Sequence, residues 1–254
     1  MVAKEYRSIE FERLCEIMDT LREKCPWDKK QTLKSLSHLT IEELYELYDA
    51  IAEENSDHIS EEIGDIMLHL VFYIKILNEK NGTTVDDVLK KINDKLIYRH
   101  PHVYENQKDL TEEAVKQNWE QLKLKEGRKS ILQGVPNALP AIIKAYRMQE
   151  KAAQVGFDWP NYQDVYDKFQ EEIHELNDAI QMQDKNEIEN EFGDVLFSLI
   201  NMARHLKIDP EMALQKTNNK FKKRFEFIED HAEKPLNEMS LNEMDILWNQ
   251  AKTI

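Results

Sequence analysis

The chain contains itself twice. Residues 42–77 match residues 171–206 without a gap at a constant spacing of 129. Self-similarity at a fixed spacing means one supersecondary unit used twice, so a fold assigned to one half has to serve the other. The match extends outward: Asn93, Lys95 and Arg99 return as Asn218, Lys220 and Arg224 at a spacing of 125, and Trp119 returns as Trp248 at 129. Between the copies, residues 127–140 (GRKSILQGVPNALP) hold two Gly and two Pro, the composition of a connector. The expected organisation is therefore a first domain over 1–127, a linker over 128–140 and a second domain over 141–254.

Both copies read as helical. Leu44, Leu47, Tyr48 and Ile51 fall at i, i+3, i+4 and i+7, one face of a helix. From 66 to 77 apolar side chains point all round the cylinder, and 195–202 repeats this, which predicts a central helix enclosed by others. Thr40 followed by Glu43 reads as a capping box, and 11–22 and 33–39 supply further amphipathic stretches. Four or five helices per copy follow. With only 6 Gly and 7 Pro, and 41% hydrophobic against 33% charged residues, the composition suits an all-α globular protein rather than a disordered or β-rich one.

Charge narrows the partners. The net charge of -15 repels nucleic-acid polymers and anionic membranes at long range. The longest apolar run, 63–77, is interrupted by Asp65, His69 and Lys75 and falls short of the ~20 residues of a membrane span. Cys15 and Cys25 are too few for a disulfide framework, and the first ten residues lack the apolar run of a signal peptide. A cytoplasmic protein is expected.

The chemistry lies in two acidic clusters per copy: Glu42, Glu43 and Glu46, then Glu62 and Asp65; and Glu171, Glu172 and Glu175, then Glu191 and Asp194. Carboxylates three apart on a helix face the same way. If the two helices form an antiparallel hairpin, four of them converge, and their repulsion then calls for protons or cations. Clustered hard oxygens suit Mg²⁺, with Mn²⁺ as its substitute. Taken once in an acidic chain, such a cluster is an ordinary solvated helix face. Its recurrence, with the same 16-residue interval from Glu46 to Glu62 and from Glu175 to Glu191 across a changed loop, argues against that. Gly64 and Gly193 recur as well, and a mid-helix Gly implies close approach of a helix or a ligand. Lys95 with Arg99, and Lys220 with Arg224, sit at i and i+4 beside Asn93 and Asn218. Cations next to a metal-carboxylate cluster are what a polyphosphate requires.

This ordered set, EExxE, the interval, ExxD and NxKxxxR, resembles the MazG family of nucleoside triphosphate pyrophosphohydrolases. The resemblance also takes in CPWDKKQT from Cys25, VGFDW from Val155 and the terminal helix with Trp248. It implies four-helix bundles formed through homodimerisation, and Mg²⁺-dependent cleavage of NTPs or dNTPs to the monophosphate and pyrophosphate. Under it, Glu172, Glu175, Glu191 and Asp194 hold the metal, and Glu171 orients or deprotonates the water that attacks the α-phosphorus. Lys220, Arg224 and Asn218 bind phosphate, and Trp248 packs the last helix or contacts the base. By the same alignment Glu43, Glu46, Glu62 and Asp65 form a second metal site, with Glu42 in the place of Glu171 and Asn93, Lys95 and Arg99 on the phosphates. The resemblance favours the C-terminal copy as the main catalytic one, with nucleotide-pool control as the cellular role.

Two rival readings remain at this level. A ferritin-like di-iron site uses an ExxH step, which Glu171 and His174 provide, but the first copy carries Tyr45 instead of the second His. The other rival is an acidic helical scaffold or regulatory cation-binding module without catalysis.

Overall fold

A computed structural model describes residues 9–105, 111, 114–115, 122 and 130–253. Helices account for the regular structure, and no strand occurs among the described residues. The chain divides into two compact units, residues 1–109 and 110–254.

The first unit comprises α1 (Ile9–Lys24), α2 (Leu33–Ala52), α3 (Ser56–Asn81), α4 (Val85–Arg99) and the short α5 (Pro101–Tyr104). α1 and α2 both pack on α3, and α4 follows at its far end. Met18, Leu36, Val71 and Phe72 form the buried core, with Leu39, Leu68 and Ile76 packed around it. Burying a side chain of this size contributes roughly 1.5–3 kcal/mol, so these four anchor the unit. α2 starts earlier than the sequence suggests. Thr32 and Ser35 form the capping box, and Leu33 to Ala52 is a single helix. Thr40 is thus interior, and its hydroxyl bridges His69 Nδ1 at 2.9 Å and the Tyr73 hydroxyl at 2.6 Å while it bonds the Leu36 carbonyl. Helix propensity and burial of one long apolar face outweigh the local capping signal.

The second unit comprises α6 (Ala141–Ala153), α7 (Tyr162–Met182), α8 (Lys185–His205), α9 (Pro210–His231) and α10 (Leu241–Ala251). α7 and α8 make the largest helix pair, α6 lies on α8, and α9 carries α10. The expected connector contributes structure to this unit, because the 3₁₀ turn Ile131–Gly134 packs on α6.

The duplication reaches the backbone. Asn55 caps α3 by accepting from two backbone N–H groups, and Asp184 does the same for α8, each 129 residues from the other. Just before each cap, Glu54 and Gln183 both adopt a left-handed conformation at φ 56°. These residues turn the chain sharply enough for two long helices to run back antiparallel.

One expectation is corrected. Among the described residues α3 and α8 are not enclosed, since Ile63, Met67 and Leu70, and their equivalents Phe192, Leu196 and Leu199, form an exposed stripe on one side. A Cβ at Gly64 or Gly193 would meet no described atom within 4 Å, so neither glycine is required by packing inside the chain. The all-round apolar pattern reflects a helix with one face buried in the chain and another left open.

Candidate active site

Each acidic cluster is built by a helix hairpin. α2 presents Glu43 and Glu46 and α3 presents Glu62, with one carboxylate oxygen from each lying within 4.8 Å of the other two. Glu172 and Glu175 on α7 and Glu191 on α8 repeat the arrangement within the same limit. Because α3 begins at Ser56, Glu62 lies beyond its first turn, out of reach of the favourable helix-end field.

The crowding is legible in the proton affinities. Desolvation, then the charges of Asp65, Glu46, Glu62 and Glu42, push Glu43 up. Glu62 is raised by desolvation, Glu46 and Asp65, and Glu191 by desolvation, Glu175 and Asp194. Asp65 and Asp194 therefore belong to the fields of their clusters although they stand outside the tight trios. Glu62 Oε2 is buried without a hydrogen-bond partner among the described residues. All donors are oxygens. Three convergent carboxylates are the donor set that a small hard cation takes, so the residues of each trio fit such an ion.

Glu172 of the C-terminal trio lines a cavity of about 550 Å³. Met148, Phe157, Trp159, Val165 and Phe197 give it apolar walls, Leu132 from the 3₁₀ turn adds to them, and Lys168, Glu172, Asp194, Asp158 and Arg204 are its charged lining. Gln149 Nε2 donates to the Phe197 carbonyl at 2.8 Å. A carbonyl only accepts, so the amide orientation is fixed and Oε1 is the atom left over. That oxygen is buried without a partner among the described residues. The loop after α6 is fastened by Asp158, which pairs with both guanidinium nitrogens of Arg204 and with His205 Nε2 at 3.1 Å. Burial opposes ionisation of Asp158, but Arg204 and His205 outweigh it and hold its carboxyl below the usual range.

Lys168 is the residue that the sequence reading missed. Its Nζ lies 2.7 Å from Glu171 Oε1 and 2.8 Å from Glu172 Oε1. Glu172 itself is 7% exposed, an unusual burial for a carboxylate and one that this ammonium compensates. The signal was present as an i, i+3 and i, i+4 pattern, but it has no counterpart in the first copy, where Leu39 occupies the position. The same asymmetry runs through the neighbourhood. Val165, Asn201 and Lys168 line the cavity, whereas their equivalents Leu36, Phe72 and Leu39 belong to the packed core of the first unit.

The basic residues are placed less centrally. Asn218, Lys220 and Arg224 lie on α9 and Asn93, Lys95 and Arg99 on α4; none of them is among the residues lining the cavity. The Arg224 guanidinium sits 5.5 Å from the Trp248 ring centroid, and Phe221 packs on the same ring at 5.2 Å. Trp248 thus joins α10 to α9. Trp119, its counterpart in the first copy, lies outside the described residues.

The model of the MazG nucleotide pyrophosphohydrolase domain matches residues 31–104 and again 161–227, more than half of the chain and one segment per copy. The chain belongs to the MazG family. Among its relatives within the family is the nucleoside triphosphate pyrophosphohydrolase/pyrophosphatase MazG of Thermotoga maritima, 45% identical over 95% of each chain. The nucleoside triphosphate pyrophosphohydrolase of Escherichia coli K12 is 39% identical over 96% of this chain and 97% of its own. The uncharacterized protein YabN of Bacillus subtilis is 44% identical over 90% of this chain, a match that takes in 48% of YabN. Both matched segments contain the hairpin that carries a carboxylate trio.

Proposed function

We propose that this chain is a divalent-metal-dependent nucleoside triphosphate pyrophosphohydrolase whose working site is the C-terminal copy. The observation that carries the reading is the apolar cavity opening directly on Glu172 and Asp194. About 550 Å³ suits a nucleoside, with the triphosphate tail directed toward the carboxylates. Glu172, Glu175, Glu191 and Asp194 hold Mg²⁺, or Mn²⁺ in its place. A divalent ion there supplies neutralisation of the triphosphate charge. Glu171 orients and deprotonates a water; the water oxygen forms a bond to the α-phosphorus as the bond from that phosphorus to the bridging oxygen breaks, and pyrophosphate leaves with the electron pair. Asn218, Lys220 and Arg224 hold phosphate oxygens, and Trp248 contacts the nucleotide beside Arg224.

The N-terminal copy supports a different reading. Glu43, Glu46 and Glu62 converge as tightly, but Leu36, Leu39 and Phe72 fill the volume that is open in the other copy. We assign this copy a cation-binding structural role, with Asp65 beside the trio as a further metal ligand and Glu42, Asn93, Lys95 and Arg99 at the positions of catalytic or phosphate-binding groups. The exposed stripes on α3 and α8 support association of two copies of the chain into a homodimer, in which Gly64 and Gly193 permit close helix approach. No helix of the described residues is long and apolar enough to cross a membrane. Together with the acidic charge, this supports a cytoplasmic role in nucleotide-pool control, without nucleic-acid polymers or membranes as partners.

A panel of NTPs and dNTPs incubated with Mg²⁺ and assayed for pyrophosphate and nucleoside monophosphate tests the reading. Glu175→Gln is expected to lower turnover by about 10²–10³ with circular dichroism unchanged. Unaltered turnover in that variant, or no pyrophosphate from any nucleotide with the wild type, overturns it.

A further inference from the structure

The two carboxylate trios share their geometry but not their counter-charge. In the C-terminal copy the Lys168 ammonium bonds Glu171 at 2.7 Å and Glu172 at 2.8 Å, and Glu172 is a member of the trio. In the N-terminal copy the matching residue is Leu39, packed against the apolar core, and among the described residues no salt bridge reaches Glu43, Glu46 or Glu62, although His58 favours the charged form of Glu62 from nearby. An ammonium already bonded to a ligand carboxylate has to be displaced before that carboxylate coordinates a metal, and the displacement subtracts from metal affinity. Lys168, Glu172 and Asp194 all line the cavity, so a triphosphate held there shares a wall with this ammonium. A phosphate oxygen there gives the displaced ammonium a new anionic partner.

We propose that Lys168 is a built-in competitor of the divalent ion, so that the C-terminal carboxylates take up metal together with nucleotide, whereas the N-terminal carboxylates take it up alone. The proposal rests on the metal-dependent reading of the C-terminal site given above. It makes Lys168 a positioning residue that couples metal and nucleotide binding. The coupling is reciprocal: whatever nucleotide does for metal affinity, metal does for nucleotide affinity. Its consequence is that the catalytic copy takes up free metal more weakly until substrate arrives, whereas the copy without a competing ammonium takes it up unopposed.

The test is a Mn²⁺ titration of the full chain, free Mn²⁺ being read by electron paramagnetic resonance. Glu46→Gln leaves the C-terminal trio as the intact one and Glu175→Gln leaves the N-terminal trio. In the Glu46→Gln background, Lys168→Met is expected to tighten Mn²⁺ binding by about two- to fivefold, the scale of a partly exposed charge pair, while Lys168→Arg keeps the weaker binding. In the Glu175→Gln background Lys168→Met leaves Mn²⁺ binding unchanged, which reports an intact fold. A nucleotide with a non-hydrolysable α,β-methylene bridge is expected to raise Mn²⁺ affinity more with Lys168 present than in the Lys168→Met variant. Binding that is unchanged or weaker in Glu46→Gln/Lys168→Met overturns the competition, because a merely structural lysine loosens the site when removed. Absence of all Glu175-dependent Mn²⁺ binding, with Lys168 in place and equally after its substitution, removes the metal reading itself, and the proposal falls with it.

Discussion

Arg204 on α8 grips Asp158 through two nitrogens across 46 positions of sequence, and so ties the loop that carries Phe157 and Trp159 to the hairpin that carries the carboxylates. The cavity and the acidic trio are held in one frame by this pair. Asp158→Ala is expected to cost about 1–2 kcal/mol, because it leaves a half-buried guanidinium without its partner, and to raise KM for the nucleotide more than it lowers kcat. Chemical denaturation and steady-state kinetics measure the two effects. The pH dependence has a fixed sign. The folded carboxyl of Asp158 titrates below its ordinary value near 3.8, so its contribution is intact above that value and is lost as the pH falls below it. Asp158→Asn flattens that acid slope.

Asn201 is the residue whose exchange closes the cavity. Its equivalent 129 positions earlier is Phe72, which is buried in a packed core. Asn201→Phe is expected to reduce nucleotide turnover by about 10²-fold or more with the melting temperature retained, since a filled cavity excludes the nucleoside without breaking a helix. The reverse truncation, Phe72→Ala, costs about 3–5 kcal/mol in the first unit by opening a void, and leaves the C-terminal chemistry in place. Pyrophosphate release and thermal melts together separate the two outcomes.

Glu191 illustrates the stability cost of the trio. Desolvation, Glu175 and Asp194 raise its proton affinity, so ionisation disfavours the folded state. The penalty is absent below the unfolded value near 4.5 and grows as the pH rises through the higher folded value. Glu191→Gln is therefore expected to raise the melting temperature of the metal-free chain at about pH 7, with the advantage shrinking toward pH 4.5. The variant also loses the part of the stabilisation by Mg²⁺ and nucleotide together that depends on the C-terminal trio, because one ligand is gone. Melting curves of the metal-free chain across this pH range, and with Mg²⁺ and a non-hydrolysable nucleotide added, provide the check.

Gln183 and Glu54 hold the hairpins in register at φ 56°, a conformation in which a side chain is strained and glycine is not. Gln183→Gly is expected to stabilise the second unit by about 0.5–1 kcal/mol, the relief of left-handed strain less the extra entropy of the unfolded chain. Urea denaturation midpoints measure the gain.

Much of this architecture is legible in the residues. The spacing of 129 locates both hairpins, and the threefold and fourfold periodicities locate their faces, because helical geometry turns linear spacing into direction. Periodicity cannot, however, distinguish a helix enclosed by its own chain from one that leaves Phe192, Leu196 and Leu199 open. Thr40 reads falsely as a cap for a related reason: a local hydroxyl–carboxylate pattern carries no information about Thr32 upstream or about the His69 and Tyr73 groups that the hydroxyl meets in space.

The acidic pattern alone determined that carboxylates 16 residues apart face one another across a hairpin, since two helices joined by a short turn bring those positions level. What the tertiary structure decided is that one copy is hollow and the other filled. Lys168 against Leu39 and Asn201 against Phe72 are ordinary substitutions when read along the chain. Only when α6, α7 and α8 enclose a common volume do they determine whether that volume packs shut or admits a ligand, because packing depends on every wall at once.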